Sequence, residues 1–353
     1  MKITQPKFVR SEKNLCSQLA RQLNGRRFVL LMDEMLSENF LSLLTEFLGA
    51  HSALDIIEVE SGEACKAPEV CFNLWAHLLE LGFTKSDVLV CVGGGSICDL
   101  GGFVAATFKR GTPCIFIPTT LLAMTDAAIG GKNGIDLGAV KNAVGSIVQP
   151  EAIIIYPSFC STLTDEQYMS GMAEIYKHAL IDGGEFWRNL SLISPDNRDI
   201  DIVLLRKSIR IKLDIVRKDV SENGLRKILN FGHTIGHAVE AACRSDDTFM
   251  PHGVAVAFGM LVESNVARKI GLLGEADYKS ISHVLKNSFK KLWIGVPEWN
   301  VILPFLRHDK KADFSGTDLF LPRSPGNFEI FRIDDQVQMQ VSYNEVVESI
   351  ALV

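Results

Sequence analysis

The chain has 353 residues, 47% of them hydrophobic, enough for two domains with cores of their own. The formal net charge is −6, and no basic tail or lysine/arginine block occurs, which argues against nucleic acid as a partner. The eight cysteines are scattered without a C-x-x-C pair and read as reduced residues of a cytoplasmic protein. The first residues, MKITQPKFVRSEKN, form no signal-peptide core, and no apolar run approaches a membrane span.

In chain order, the first half alternates short apolar strands with helical segments. Strands are predicted at Phe28–Met32 (ending at Asp33), Ile56–Val59, Asp87–Val92, Cys114–Ile117 and Ala152–Tyr156. This alternation predicts a mostly parallel, covered sheet. The third strand runs straight into Gly93-Gly94-Gly95 and then a helix. Glycines admit a close ligand, and a helix N-terminus offers unpaired N–H groups and a positive dipole end to a pyrophosphate. Taken alone, the triplet is equally a tight turn, and Asp33, suited to a ribose hydroxyl, is equally an ordinary strand end. A second glycine-rich segment, IPTTLLAMTDAAIGGKNGID, carries Thr119, Thr120, Asp126 and Lys132, with Lys141 and Asn142 just beyond.

From about Leu163 helical patterns dominate, at Asp165–Asp182, Asp199–Asp219, Gly224–Cys243, His252–Ile270 and Glu275–Phe289. Asp318–Pro322 and Asn327–Ile333 flank RSPG as a small hairpin. The expected organisation is an α/β Rossmann-like domain over residues 1–162 and a mainly α-helical domain over 163–353, a junction of the kind that often holds a ligand cleft.

The helical half carries the metal-binding signal. His233 and His237 are four apart in NFGHTIGHAVEAA, so both imidazoles share one helix face. His252 opens HGVAVAFGMLVE, and Glu174 lies inside GMAEIYKHAL. Imidazole and carboxylate suit zinc-like ions, and catalytic sites commonly use three protein ligands and leave a position open. Spacing alone makes His237 a ligand candidate beside His233. An isolated histidine pair at this spacing is more often a satisfied polar pair, and a helical glutamate is by default solvated. Lys212, in KSIRIKLDIVRKD, reads by its surroundings as a solvated face, and Lys177 and Arg226 as surface salt-bridge residues.

The segments GGGSICDLGGFVAATFKRG, PTTLLAMTDAAIGGKNGID, KNAVGSIVQP, TLTDEQYMSGMAEIYKHALI, SENGLRKILNFGHTIGHAVE, PHGVAVAFGM and HDKKADF together resemble the 3-dehydroquinate synthase family, over roughly Asp33 to Lys311. The resemblance implies an NAD-binding α/β domain, a helical metal domain and one divalent metal, zinc or cobalt. It implies Glu174, His233 and His252 as ligands and His237 as an acid–base histidine, which departs from the reading by spacing. Cofactor-contacting positions would be Asp33, Glu63, Lys66, Gly94, Gly95, Ser96, Asp99, Thr119, Thr120 and Thr162, with Lys132 and Lys141 counted beside them. Substrate positions would be Arg110, Asp126, Lys132, Asn142, Lys177, Lys212, Arg226, Asn230 and the Lys310/Lys311 pair.

The implied reaction converts 3-deoxy-D-arabino-heptulosonate 7-phosphate to 3-dehydroquinate and phosphate in the shikimate pathway of aromatic amino acid biosynthesis. It is a lyase reaction in which NAD is oxidant and then reductant within one turnover. A homodimer is the family expectation. Departures are Ala127 and Ala128 where serines are frequent, Val254 where glutamate is frequent, and a longer loop before His252. The rival readings are another sugar-phosphate cyclase, a metal-dependent polyol dehydrogenase and a binding protein on the same fold. Arg226 with Asn230 argues against the first, since its inosose or valiolone products lack a carboxylate. The phosphate-gripping lysines argue against the second, and the complete ligand set against the third.

Overall fold

The computed structural model describes residues 2–36, 38–138, 140–191, 201–245, 248–308, 317–333 and 336–351. The chain forms two compact units, Met1–Leu163 with Ile200–Ile209, and Thr164–Asp199 with Arg210–Val353. The expected α/β and helical halves are both present.

The first unit runs β1 (Lys7–Phe8), α1 (Glu12–Leu23), β2 (Phe28–Asp33), α2 (Glu38–Ala50), β3 (Ala53–Val59), α3 (Pro68–Glu80), β4 (Val88–Gly93), α4 (Gly95–Thr107), β5 (Cys114–Pro118), β6 (Lys132–Leu137), β7 (Val140–Ile147) and β8 (Ala152–Ile155). The main sheet has the order β1-β8-β5-β4-β2-β3, and its strand pairs are parallel. Strands β4, β5 and β8 are buried along their whole length, which is why they read as unbroken apolar runs rather than alternating ones. The chain passes from β2 outward to β3 and then crosses to β4 on the other side of β2. That reversal opens a crevice at the carboxyl ends of β2 and β4, the usual ligand position in open α/β sheets. Helix α4 lies close to the sheet because a Cβ on Gly101 would meet the Cys91 sulfur at 2.2 Å. The GGKNGID segment, read from sequence as a polar glycine-rich stretch, instead begins an antiparallel hairpin of β6 and β7.

The second unit contains α5 (Asp165–Asp182), α6 (Gly184–Leu190), the C-terminal half of α7 (Ile202–Lys218), α8 (His233–Ser245), α9 (His252–Lys269), α10 (Glu275–Phe289), α11 (Trp299–His308), the hairpin β9 (Thr317–Ser324) and β10 (Asn327–Ile333), and α12 (Gln336–Ala351). Helix α5 starts at a capping box: Thr164 Oγ1 accepts from the Gln167 N–H, and the Gln167 side chain accepts from the Thr164 N–H. Helix α9 is buried on all sides from Gly253 to Ala267; it is apolar all round as far as Val262, and Glu263, Ser264 and Asn265 are buried polar residues beyond that. One expectation is corrected. Gly224–Cys243 is not a single helix but a tight 3-10 segment, Leu225–Asn230, followed by α8. The break is at Gly232, whose φ of +82° lies outside the helical region. Helices α6, α11 and α12 were not foreseen. Among the described residues, no helix is long and apolar enough to cross a membrane.

Candidate active site

In the first unit, the carboxyl ends of β2, β4 and β5 carry Asp33, Gly94, Gly95 and Thr119, positions expected to contact the cofactor. Met32 pairs with Val92 across β2 and β4, so Asp33 and the Gly93–Gly95 run emerge side by side. Asp33 Oδ1 accepts from Ser61 Oγ at 2.8 Å and from the Met35 N–H at 2.9 Å, which fixes its carboxylate. Gly94 occupies the N-cap of α4 with no side chain to cap it, leaving first-turn N–H groups for a ligand. Thr119 donates its N–H to the Gly93 carbonyl at 2.9 Å, tying the β5 end to the glycine loop.

Beside these lies a buried ionic network. Lys66, 2% exposed, donates to Asp99 Oδ2 at 2.9 Å and to Asn142 Oδ1. Asn142, at φ +50°, donates its N–H to Asp136 Oδ1 at 2.7 Å. Glu63 accepts from Ser96 Oγ at 3.3 Å and faces Lys141 at 3.5 Å. Burial pushes Asp99 up to about 6 against the pull of Lys66. Burial alone would depress Lys66, but Asp99, Glu63 and Asp136 outweigh it and hold its pKa above the ordinary value. Asp136 and Ser61 were missed from sequence; nothing local distinguishes either from a loop residue. The network joins Asn142, assigned by resemblance to the substrate, to Lys66, assigned to the cofactor.

Of the other first-unit positions, Asp126 adds its charge to the surroundings of Asp99. Arg110 is exposed in a left-handed turn (φ +66°) that precedes β5, at the opposite end of that strand from Thr119. Lys132 is exposed at the start of β6, Asp126 half-buried in a π-type turn, and Thr162 exposed, with its hydroxyl on the Phe159 carbonyl.

In the second unit, α5, α8 and α9 bring the metal candidates together. One nitrogen each of His233, His237 and His252 lies within 4.8 Å of the others. Glu174 is fully buried, and its Oε1 stands 3.7 Å from His233 Nε2. Zinc bonds of about 2.0–2.1 Å in a tetrahedron separate ligand atoms by roughly 3.4 Å, so this donor set fits a divalent ion after small side-chain adjustments. Glycines make the convergence possible: a Cβ on Gly236 of α8 would lie 2.9 Å from the Val256 Cα of α9. His233 Nδ1 is 3.3 Å from the Phe231 carbonyl and His252 Nδ1 is 3.2 Å from Glu240 Oε2. His237 is the exposed member of the trio.

Lys177, 1% exposed, forms an ion pair with Glu174 one turn away on α5. Lys212 and Arg226 are 5% and 2% exposed, so neither is the solvated residue that its neighbours in the sequence imply. Arg226 Nη1 donates to the Val220 carbonyl at 2.8 Å. Its turn is organised by Asp219, which accepts the N–H groups of Arg226, Gly224 and Asn223 and is held below the usual carboxylate range by them. Asn230 donates to Glu222 Oε1 at 3.1 Å. Val254 is fully buried, its carbonyl accepting from Trp293 Nε1 at 3.0 Å. Glu240 reads in the sequence either as a group supporting the ligands or, equally, as a helix-capping or surface residue, and the structure sets it against His252; Glu263 emerges only here. Nothing local marks Glu263, the one glutamate of α9, yet it accepts the Gly232 N–H at 2.8 Å. Lys310 and Lys311 lie outside the described residues.

The profile of the 3-dehydroquinate synthase N-terminal family matches residues 56–170, and that of the C-terminal family matches residues 171–312. The 3-dehydroquinate synthase of Thermococcus kodakarensis is 34% identical over 329 residues, 92% of this chain and 90% of its own. That of Parabacteroides distasonis is 33% identical over 96% of this chain and 95% of its own. Two solved structures share the fold. A 2-deoxy-scyllo-inosose synthase complexed with carbaglucose-6-phosphate, NAD+ and Co2+ superposes with a TM-score of 0.85 at 21% identity, covering 97% of this chain and 96% of that one. A 2-epi-5-epi-valiolone synthase from Streptomyces hygroscopicus with NAD+ and Zn2+ gives 0.85 at 24% identity, covering 99% and 98%. By both family profiles, and by identities above 30% across most of its length, this chain belongs to the 3-dehydroquinate synthase family.

Proposed function

We infer that the chain is an enzyme, a 3-dehydroquinate synthase that converts 3-deoxy-D-arabino-heptulosonate 7-phosphate to 3-dehydroquinate and phosphate, within the shikimate pathway. Family membership carries the reaction. The observation in the chain itself that carries it is the convergence of buried Glu174 with His233, His237 and His252, with Lys177 and Arg226 buried in the same unit.

The two domains are assigned as cofactor-binding, residues 1–162, and metal- and substrate-binding, residues 163–353. The first would hold NAD at Asp33, Gly94, Gly95, Ser96, Asp99, Thr119, Thr120 and Thr162, with Glu63, Lys66 and Lys141 beside them. The second would hold one zinc or cobalt ion through Glu174, His233 and His252. When bound, NAD supplies a reversible hydride acceptor and the ion a Lewis acid for adjacent substrate hydroxyls. The similar structures named above hold NAD+ with Co2+ or Zn2+, which supports this assignment.

The protein's own side chains bind, orient and move protons. Arg226, with one nitrogen tethered to Val220, presents a fork suited to the substrate carboxylate. Lys132, Asn142 and Lys310 or Lys311 are assigned to the phosphate, and Asp126 to a nearby polar group. Lys177 and Lys212, both buried, face little competing water and so stabilise developing negative charge strongly. Asn230 positions a hydroxyl. His237, the exposed histidine, is assigned as the residue that relays a proton between substrate and solvent. The buried guanidinium of Arg226 favours a carboxylate-bearing substrate over the sugar phosphates used by the sister cyclases.

The protein is assigned to the cytoplasm, supported by eight free cysteines, seven of them buried. A homodimer is supported by exposed Leu137, Val140, Val144 and Ile147 on the β6–β7 hairpin. Arg110 is assigned to the substrate phosphate, with Lys132 and Asn142.

The test is phosphate release from the substrate with purified protein, catalytic NAD and zinc or cobalt. Release beyond the NAD supplied, without lasting NADH absorbance and lost in Glu174→Ala, supports the reading. Silence from folded, metal-loaded, NAD-bound protein would reject the substrate.

A further inference from the structure

We propose that Glu240 is a positioning residue that fixes the ring and tautomer of His252 and thereby sets how tightly the centre holds its ion. The proposal rests on the metal reading above. Helix α8 carries His233, His237 and Glu240 at i, i+4 and i+7, so all three project from one face. Glu240 Oε2 lies 3.2 Å from His252 Nδ1, and the Glu240 side chain is only 10% exposed. An ionised carboxylate has no proton to give, so the shared hydrogen belongs to Nδ1, and the lone pair of His252 is left on Nε2. Ligating histidines commonly depend on such an acceptor at the far ring nitrogen.

His233 has the same arrangement by another route, with Nδ1 3.3 Å from the backbone carbonyl of Phe231. Both imidazole ligands thus have Nδ1 engaged, one by main chain and one by side chain. Only the second can be removed without rebuilding the backbone. A helix-stabilising role does not account for Glu240. Its pair with Arg244 is an i,i+4 contact at 3.6 Å to a half-exposed guanidinium, a kind of interaction of small consequence. Sinking a carboxylate beside an imidazole has a desolvation cost that such a contact does not offset.

The experiment titrates zinc into metal-free protein against a competing chelator. Visible spectra of cobalt-loaded protein and far-UV circular dichroism of the metal-free forms are recorded alongside. Glu240→Leu should weaken zinc by roughly 10–100-fold and shift the cobalt spectrum while leaving the metal-free fold intact. Glu240→Gln keeps an acceptor and should lose only about 3–10-fold, and Arg244→Ala should bind as the parent does. In a Glu240→Leu/His252→Ala double variant the loss should match that of His252→Ala alone, because the carboxylate acts through that ring. Zinc affinity of Glu240→Leu within twofold of the parent overturns the proposal. If Glu240→Leu does not fold, Glu240→Gln decides, and parent-like affinity with an unchanged cobalt spectrum overturns it. A parent that holds no zinc, or a His252→Ala variant that binds as the parent does, overturns the metal reading and this proposal with it.

Discussion

Gly259 of α9 and Gly232 at the head of α8 meet backbone to backbone: a Cβ on Gly259 would lie 1.9 Å from the Gly232 carbonyl oxygen. The contact sets the depth at which α8 seats on α9, and with it the separation of His233 from His252. Gly259→Ala cannot be absorbed by rotating a side chain, since the obstacle is main chain. It should destabilise by about 1–3 kcal/mol or more and weaken zinc binding in whatever protein remains folded. Thermal melts with metal titration check both.

Glu263 holds the same junction by a hydrogen bond. Its carboxylate, 1% exposed, accepts from Gly232, and the positive end of the α8 dipole favours an anion there. Glu263→Ala strands a buried N–H and should cost about 1–3 kcal/mol; Glu263→Gln, which still accepts, should recover part of it. Denaturant unfolding of the metal-free protein separates the three.

Removing the metal with a chelator should abolish phosphate release, and zinc or cobalt should restore it in the parent but not in Glu174→Ala. The α9 core is apolar, so the metal-free protein should stay folded. Its melting temperature should rise on adding zinc, by an amount equivalent to about 2.7 kcal/mol at a hundredfold excess over the dissociation constant. Glu174→Ala, still holding the histidines, should rise less.

Arg226→Lys keeps the charge and loses the planar fork. A lysine cannot both hold the Val220 carbonyl and grip a carboxylate with two parallel bonds. The value of kcat/KM for phosphate release should fall about 10–100-fold, while zinc and NAD binding stay unchanged. Equal activity in the two forms would remove Arg226 from the carboxylate site.

Asp99 gives a pH signature. Burial raises its folded pKa from 3.8 to about 6, so between those values the folded state binds more protons than the unfolded chain. Its contribution to stability therefore falls as pH rises from about 4 to about 6 and is level above that. Asp99→Asn lacks this slope. Relative to the parent, the variant should gain stability across that window, on the order of 1.4 kcal/mol per unit of pKa displaced. Melts at pH 4.5 and 7 check the sign.

Elements with strong local signals were legible in the sequence. Helices α5 and α10 and strand β10 fall on the residues predicted, because a capping box, an acidic first turn and a turn-flanked strand are encoded within a few neighbours. The buried strands were legible for a related reason, since parallel strands covered on both faces must be apolar throughout. What misled was burial of charge. Lys212 and Arg226 lie in segments rich in charge, and Lys177 defaults to the surface by its charge alone; a hydrophobic pattern carries no record of which charged side chain another element will cover. The single helix expected over Gly224–Cys243 failed similarly, because Gly232 takes a positive φ to meet α9 and Glu263, which are remote in sequence.

The sequence by itself determined the chain's chemical inventory: the glycine run behind an apolar strand, histidines one turn apart, an acidic residue in a helix, and the β–α alternation that orders the sheet. Tertiary structure alone decided which of these groups meet. The crossover from β3 to β4 sets Asp33 beside the glycine loop, and glycine-mediated contact between α8 and α9 draws His233, His237 and His252 within ligand distance. Glu240 and Glu263 gain their roles in the same contact. Periodicity fixes the face on which a side chain projects, whereas proximity between elements distant in the chain is set by packing, which no local pattern records.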